Sequence, residues 1–406
     1  MKPLEGILVL DITQFMAGPL CSMILSDLGA TVIKFERPPI GDTSRYSPPG
    51  KMGASSYFIS LNRGKKSVLL DLRDSRQKEA FLKIVKNADI LLENMKPGSM
   101  EKLGVGYDTL KDINPRLVYT SISGYGHTGP LKTRGAYDLV IQAESGLMSI
   151  TGEKGGQPLK SGTSSSDLVA GLYATIGTLA ALFKARKTGA GDFVDIAMLD
   201  TTFATLENAI ARYFLTGIVP EPLGNRHSSA APFQPFDTKD GKVFVCCISD
   251  ENWRNFALAI NRKDLAENPM FKTMNLRQQN IDMLDAAVQA ELRNWTAEDL
   301  MDALDKAKIV NGQINTLDKA VNNPQILARN MIMSVNYPGA EPMQTAASPI
   351  KMNSVPEATE SYCPGLGEDT LDIMVNYGGL ELSEAEDIYK DIFSAVEGVI
   401  KERAIY

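Results

Sequence analysis

Residues 6–36, which read GILVLDITQFMAGPLCSMILSDLGATVIKFE, decide the fold class. The apolar run at residues 6–12 has the length of a buried strand, residues 17–28 are typical of a helix, and residues 30–35 predict a second strand. A strand, a helix and a strand in this order indicate the beginning of a parallel sheet that is covered by helices.

The alternation continues through the first half of the chain. Further strands are predicted at residues 67–72, 89–94, 116–121 and 193–198, and helices at residues 75–87 and 199–215. The pattern predicts an α/β fold with a Rossmann-like, doubly wound, mainly parallel sheet.

After residue 224 the pattern changes and predicts a second, smaller domain. A loop rich in Ser, Ala and Pro precedes a strand at residues 242–248 and several helical stretches. We expect residues 1–200 to form the large domain and residues 225–324 a smaller α+β domain. Residues 325–406, with a strand near 348–352 and a helix at 383–401, are expected to complete the large domain.

Composition argues against several classes of function. The 406 residues carry a formal net charge of -7, whereas a nucleic-acid partner requires a basic face. The four cysteines show neither C-x-x-C spacing nor a metal-like cluster, so we expect reduced thiols, no metal and a cytoplasmic protein. No apolar run approaches membrane-spanning length in this interpretation, and no membrane partner is expected.

One carboxylate stands out as a candidate nucleophile. Asp167 follows the small hydroxyl-rich stretch SGTSSS at residues 161–166 and precedes an apolar run at residues 168–183 that predicts a buried helix. Unpaired amides and the helix dipole at such an N-terminus favour an ionised carboxylate, which a carboxylate nucleophile needs. Asp is also a common N-cap residue, so from the residues alone both roles stay open.

The Rossmann-like beginning raises the alternative of a nicotinamide-dependent oxidoreductase. Glu36 closes the second strand, where an acidic residue could bind a ribose. The loop after the first strand reads TQFMAGP at residues 13–19 and lacks the G-x-G-x-x-G that cradles a pyrophosphate. This alternative is therefore disfavoured.

Several segments together resemble the family III CoA-transferases, which include formyl-CoA transferase, carnitine CoA-transferase and the related acyl-CoA racemases. The matching segments, in the family's order and spacing, are residues 3–11 (PLEGILVLD), 17–19 (AGP), 28–38 (LGATVIKFERP), 88–94 (ADILLEN), 124–126 (GYG), 187–191 (KTGAG) and 224–226 (GNR). The resemblance implies that Asp167 is the nucleophile, that Tyr137 assists it, and that the protein is an interlocked homodimer.

The resemblance also implies a set of positions that bind coenzyme A. They are Met16, Ala17, Arg37, Leu70, Asp71, Leu72, Arg73, Asn94, Met95, Lys96, Lys102, Arg134 and Ala136. Some family members carry a lysine just before the tyrosine, where this chain has Gly135 with Arg134 one step earlier. CoA or acyl-CoA is expected as a substrate, and no tightly bound cofactor is expected.

Transferase and racemase share one scaffold in this family. The racemases have a histidine where this chain has Tyr137, and His127 and His227 are predicted to lie in loops. We therefore predict a CoA-transferase that moves CoA from an acyl-CoA to a carboxylic acid through aspartyl mixed-anhydride and aspartyl-CoA thioester intermediates. An acyl-CoA racemase or epimerase, or a non-catalytic CoA-binding protein, is the alternative.

Substrate size is predicted from one loop and one side chain. Formyl-CoA transferase covers its nucleophile with a glycine-rich loop, and the corresponding substrate loop here contains Ser228, Ser229, Ala230 and Ala231 followed by Pro232 and Phe233. Met16 replaces a glutamine of that enzyme. Stiffer and more apolar residues predict acids larger than formate and oxalate, while the identity of donor and acceptor stays open.

Overall fold

The computed structural model describes residues 2–51 and 54–403 of the chain. In chain order its strands are β1 (Leu8–Asp11), β2 (Thr31–Glu36), β3 (Gly50–Lys51), β4 (Ala54–Ser55), β5 (Lys65–Leu69), β6 (Ile90–Glu93), β7 (Val118–Ser123), β8 (Phe193–Ala197), β9 (Phe233–Asp237), β10 (Lys242–Cys246), β11 (Val310–Gln313), β12 (Ile332–Tyr337), β13 (Ala340–Ala346) and β14 (Glu360–Tyr362).

The helices alternate with these strands in the first half and dominate the rest. They are α1 (Ala17–Asp27), α2 (Ser56–Asn62), α3 (Ser75–Val85), α4 (Ser99–Lys102), α5 (Tyr107–Ile113), α6 (Asp138–Glu144), α7 (Ser165–Thr188), α8 (Met198–Ala204), α9 (Glu207–Thr216), α10 (Asp250–Ala259), α11 (Lys263–Glu267), α12 (Met274–Gln279), α13 (Ile281–Leu292), α14 (Ala297–Lys306), α15 (Leu317–Val321), α16 (Pro324–Ala328), α17 (Thr370–Asn376) and α18 (Leu382–Arg403).

The main sheet is parallel and has the order β5-β2-β1-β6-β7-β8. Numbered by their sequence within this sheet, the strands run 3-2-1-4-5-6, the Rossmann order. The order reverses between β1 and β6, where Val9 pairs with Ile90. The predicted fold class is confirmed.

Helices cover both faces of this sheet because its strands are apolar on both faces. Along β1, Leu8 and Leu10 face one core with α3, α17 and α18, whereas Val9 faces the other core with α1 and α7. The helix α7 can approach α1 closely because residue 171 is glycine: a Cβ there would lie 2.7 Å from the carbonyl oxygen of Ala17.

One expectation about α7 requires correction. By length and composition alone, its 24 residues are long and apolar enough to cross a membrane, and it is the single such helix in the described residues. Thr and Gly residues interrupt the apolar run of α7, so no continuous apolar stretch of this length is visible in the sequence. The helix packs against α1, β7 and β8 and contributes Ala170 and Ala174 to the core, which is the ordinary position of a core helix.

The chain divides into two compact units. The first contains Met1–Leu147, Lys160–Thr216 and Pro324–Tyr406, and the second contains Met148–Leu159 and Gly217–Asn323. Residues 148–159 thus group with the second unit, whereas the sequence interpretation gave all of residues 1–200 to the large domain.

The second unit combines an antiparallel sheet with helices. Its sheet has the order β11-β10-β9, and α10, α11, α13 and α14 contribute to a core with this sheet that includes Trp253, Phe256 and Phe271. This is an α+β arrangement.

The C-terminal part of the first unit has its own small sheet, β13-β12-β14. The strand predicted near residues 348–352 is wrong, because those residues follow β13 without strand structure. The helix predicted at residues 199–215 is divided into α8 and α9.

Candidate active site

A cavity of about 1020 Å³ opens at the carboxyl end of the main sheet, beside the point where the strand order reverses. Its walls come from the loops after β1 and β6, the end of β7, the start of α6 and the N-terminus of α7. Ligands of doubly wound sheets bind at this position, and the volume suits a large ligand.

Two hydrogen bonds join the loops that form one wall. The Gln14 amide donates to Asn94 Oδ1 at 2.9 Å, and Asn94 Nδ2 donates to the Gln14 carbonyl oxygen at 2.8 Å. Phe15, which follows Gln14, adopts φ 62°, a conformation uncommon for a residue with a side chain. Its ring lies 6.5 Å from that of Tyr57. These two hydrogen bonds hold the loops after β1 and β6 together at the point where the strand order reverses.

Two buried ion pairs support the loop after β1, which forms part of this wall. Asp11 at the end of β1 pairs with Lys65 Nζ at 2.9 Å, and Lys34 pairs with Asp42 at 3.0 Å while donating to the Thr13 carbonyl oxygen at 2.7 Å. The four charged side chains are fully buried. Removing one partner would leave the other charge uncompensated, so this network is costly to disturb.

Glu36 belongs to the same buried layer. Its carboxylate accepts hydrogen bonds from Arg45 at 2.7 and 2.8 Å and from Ser67 Oγ at 2.6 Å. A side chain committed in this way cannot bind a ribose, which agrees with the rejection of a nicotinamide site.

Asp167 lies in the first turn of α7 and lines the cavity. The amides at the start of α7 are capped by another residue: Asp138 Oδ1 accepts from the Ser166 amide at 2.9 Å and from the Asp167 amide at 3.4 Å. Gln142 Nε2 donates to Asp138 Oδ2 at 2.7 Å and fixes that carboxylate. The Asp167 carboxylate accepts no hydrogen bond from the described residues, so it is available to a ligand.

The protonation of Asp167 differs from the sequence-based expectation. Burial, and then repulsion from Asp138, raises the pKa of Asp167 to about 7. The expectation that the helix N-terminus favours the ionised form is wrong in direction, because burial outweighs the helix dipole and Asp138 already accepts hydrogen bonds from the amides of Ser166 and Asp167. A carboxylate with a raised pKa is a more basic nucleophile once it is ionised.

Two tyrosines line the cavity together with this carboxylate. Tyr137 precedes α6 and is 80% exposed, so its hydroxyl is free to meet a ligand. Tyr57 on α2 is half-buried, and burial followed by the Asp167 charge raises its pKa. The sequence interpretation missed Tyr57, because only the tertiary fold brings this short helix to the cavity.

The match to known proteins agrees with this geometry. Residues 4–370 match the CoA-transferase family III. This chain belongs to CoA-transferase family III.

Relatives of this family III CoA-transferase include named enzymes. Acetyl-CoA:oxalate CoA-transferase of Acetobacter aceti is 40% identical, covering 82% of this chain and 85% of its own. Succinyl-CoA:mesaconate CoA-transferase of Haloarcula hispanica is 37% identical, covering 95% and 100%. A solved CaiB/BaiF family protein from Brucella suis aligns at a TM-score of 0.84 with 34% identity, covering 93% and 99%. The chain is therefore an enzyme of the CoA-transferase class.

The cavity of this CoA-transferase gathers about half of the positions that the resemblance implies for CoA. Met16, Ala17, Asn94, Met95, Lys96 and Ala136 line it together with Tyr137 and Asp167. They follow β1 and β6 or precede α6. Their roles in binding stay predictions.

The remaining implied positions lie outside the cavity lining. Leu70 and Leu72 are buried in the core, so their side chains cannot contact a ligand and only their backbone could. Arg73 is paired with Asp71, whose carboxylate accepts from Arg73 Nε at 2.9 Å. Arg37 and Lys102 are exposed, and Arg134 pairs with Glu144 at 2.8 Å.

The predicted substrate loop belongs to the second unit. Ser228 and Ser229 are exposed, whereas Ala231 is fully buried and its carbonyl oxygen accepts from Arg277 Nε at 2.7 Å. The side chain of Ala231 therefore belongs to the core of that unit, which corrects its assignment as a substrate contact. Phe233 begins β9, and its ring stacks on that of His227 at 4.6 Å.

One buried acid beside the cavity has no cationic partner among the described residues. Glu93 ends β6, is 2% exposed, and accepts a hydrogen bond from the Met95 amide at 2.7 Å. Burial raises the pKa of Glu93 to about 7, although Ser121 and the Met95 amide favour the ionised form. The folded protein thus holds this proton more tightly than the unfolded chain.

The stability of the native protein is expected to fall as pH rises from about 4.5 to about 7, because ionised Glu93 is favoured in the unfolded chain. Glu93→Gln removes this titration. The unfolding free energy of the variant minus that of the native protein should therefore increase by on the order of 3 kcal/mol from pH 5 to pH 8. Urea unfolding at both pH values checks this, with Glu79→Gln on the exposed side of α3 as the control. A difference between native protein and variant that does not change with pH would contradict the prediction.

Proposed function

We propose that this chain transfers CoA from an acyl-CoA to a carboxylic acid with Asp167 as the covalent nucleophile. The observation that carries the proposal is the Asp167 carboxylate, which lines the cavity without a hydrogen bond from the described residues while Asp138 caps its helix. A carboxylate that only stabilised α7 would itself accept the amide hydrogen bonds.

The reaction then proceeds without a metal or ATP. An Asp167 oxygen attacks the thioester carbonyl, the C–S bond breaks, and a mixed anhydride and CoA thiolate result. The thiolate attacks the aspartyl carbonyl, which releases the donor acid and leaves an aspartyl-CoA thioester. The acceptor carboxylate attacks this thioester and displaces the thiolate, and the thiolate then attacks the acceptor's acyl carbon. The new acyl-CoA leaves and the Asp167 carboxylate is restored.

The two tyrosines are proposed to support these steps. Each tetrahedral intermediate places negative charge on a former carbonyl oxygen, which a nearby hydroxyl can stabilise by donating a hydrogen bond. Tyr137 and Tyr57 both line the cavity and are suited to this role. Water must be kept out, because it would hydrolyse the anhydride and the thioester.

We propose dicarboxylic acids as the substrate class. The two named relatives above act, by their names, on oxalate and mesaconate. Met16 gives the cavity an apolar wall, and we still expect acids larger than oxalate. Both assignments rest on similarity and on the cavity lining together.

A homodimer is proposed as the working form. The helix α9 buries none of its residues in the single chain, and Phe214 and Leu215 on it are 79% and 86% exposed. Exposed apolar residues on one helix are typical of a surface that a partner covers. The interlocked arrangement follows from the resemblance, and the cytoplasmic location stays a prediction.

A panel of acyl-CoA donors and carboxylic acid acceptors, read by mass spectrometry, tests the proposed function. We expect a new acyl-CoA to form from at least one pair. In deuterated water a 2-methylacyl-CoA should remain unlabelled at its α-carbon, because Tyr137 stands where the racemases have a histidine. Rapid labelling without acid exchange would favour the racemase, and the absence of both reactions would favour a CoA-binding protein.

Arg37 provides a test of CoA binding. It follows β2 at the carboxyl end of the sheet, is exposed, and forms no ion pair with a described residue, whereas Arg73 is already paired with Asp71. We expect Arg37→Ala to raise the KM for acyl-CoA about ten-fold or more, since hydrogen bonds to charged groups contribute about 1.5–3 kcal/mol. Arg116→Ala is the control, because Arg116 is exposed just before β7 at the opposite edge of the sheet. An unchanged KM would assign Arg37 to the solvated surface.

A further inference from the structure

Two ammonium groups line the cavity, and they lie on different walls. Lys96 follows β6 beside Asn94 and Met95, whereas Lys160 begins the segment that leads into α7. Neither forms an ion pair with a described residue. Lys160 Nζ donates one hydrogen bond, to the Ser161 carbonyl oxygen at 3.0 Å, and has two further N–H groups to offer.

The segment that carries Lys160 is fixed by the same residues that position Asp167. The Ser161 amide donates to Gln142 Oε1 at 2.9 Å, and Gln142 is fully buried. The other end of the Gln142 amide donates to Asp138, which accepts from the Asp167 amide. Only two side chains, Gln142 and Asp138, therefore lie between the backbone of the lysine segment and the backbone of the nucleophile.

The charge balance of the cavity indicates what Lys160 faces. Asp138 and Asp167 also line it, so a substrate with a second carboxylate enters a region that already contains two acids. A free carboxylate in such a place requires a cation, and an ammonium group offers charge-assisted hydrogen bonds. Lys96 lies with the residues assigned to CoA, which leaves Lys160 for the acid.

We propose that Lys160 binds the distal carboxylate of dicarboxylic substrates, the one that does not react with Asp167, and so selects diacids over monoacids. This inference rests on the proposed function, since it requires an acyl group on Asp167. The Lys160 side chain acts here as a specificity-determining contact.

Acceptors of equal chain length separate this role from others. With one donor, succinyl-CoA, the first half-reaction is common to all acceptors, so kcat/KM for glutarate against valerate, and for adipate against hexanoate, isolates the acceptor step. We expect the native enzyme to prefer the diacid of each pair. Lys160→Met should lower the diacid-to-monoacid ratio by about ten-fold or more, as the loss of a charged hydrogen bond predicts. Lys160→Arg should retain most of the ratio.

Lys132→Met is the matched control, because Lys132 is exposed and does not line the cavity. Its ratio should equal that of the native enzyme. An unchanged ratio in Lys160→Met would overturn the inference, as would a native preference for monoacids. A rise in the KM for acyl-CoA that is the same for every acceptor would also overturn it and assign Lys160 to CoA. In each of these cases transfer itself persists, whereas a native enzyme without any transfer would contradict the proposed function instead.

Discussion

Replacing Asp167 by Asn or Ala is expected to reduce CoA transfer by several powers of ten. The covalent pathway needs a carboxylate oxygen that can attack a thioester, and neither side chain provides one. Acyl-CoA binding should persist, because the cap of α7 comes from Asp138 and not from Asp167. Turnover measured by chromatography of the acyl-CoA products gives kcat. Isothermal titration calorimetry of CoA binding shows whether the variant is still folded and binds its ligand.

The control for this variant lies on the next helix. Asp200 occupies the first turn of α8, as Asp167 does in α7, but it is exposed and does not line the cavity. Asp200→Asn should transfer CoA at the native rate. Hydroxylamine added during turnover should trap the acyl group as a hydroxamate on Asp167, and mass spectrometry of the peptide locates it. Full activity in Asp167→Ala would exclude the covalent mechanism.

The position of Asp167 was predictable, but its electrostatics were not. A hydroxyl-rich stretch before an apolar run is enough to predict that Asp167 lies in the first turn of a helix. The residue that takes the helix amides is Asp138, 29 positions earlier in the chain. Burial raises the pKa of Asp167, and repulsion from Asp138 adds to it. Local patterns predict neither the burial nor the pairing, and for that reason the predicted direction of the Asp167 pKa was wrong.

The same distinction between local and long-range information applies to the fold. The strands β1 and β6 at the centre of the main sheet are buried along their whole length, so each appears in the sequence as a short, largely apolar run. The strands β12 and β13 contain exposed positions and polar residues, and the stretch at residues 348–352 that was predicted as a strand lies after them. Hydrophobic periodicity and composition therefore predicted the Rossmann-like core but failed in the small sheet β13-β12-β14.

Tyr57 and the buried charges show a second limit of the sequence. Lys34 and Lys65 lie within strands, where a lysine is ordinarily exposed, and only the fold shows that each has a carboxylate partner. The cavity wall depends on these pairs, because Lys34 also holds the Thr13 carbonyl oxygen in the loop after β1. A pattern of residue types contains no information about such partners.

The largest expected effect on stability follows from this layer. Asp11→Ala should lower the unfolding free energy of the first unit by about 3–5 kcal/mol. The substitution leaves buried Lys65 without its carboxylate partner and removes a negative charge that also interacts with buried Lys34. Asp192→Ala is the control: its pair with Lys184 is about half exposed, and pairs of that kind contribute about 0–1 kcal/mol. Urea unfolding followed by far-UV circular dichroism measures the change. Tryptophan fluorescence would not report on unfolding of the first unit, since Trp253 and Trp295 both lie in the second unit.

The pH dependence distinguishes a lost ion pair from a lost hydrogen-bonding group. Burial alone would raise the pKa of Asp11, but Lys65, Lys34, Ser22 and Thr13 hold it below its ordinary value. Because the folded-state pKa is depressed, the contribution of Asp11 is present above about pH 4 and is lost as pH falls toward the folded-state pKa. The difference between the native protein and Asp11→Ala should therefore be full at pH 7 and smaller at pH 3. A loss of 1 kcal/mol or less at pH 7 would show that Asp11 and Lys65 offset only their own cost of burial, and that the wall of the cavity is held by other contacts.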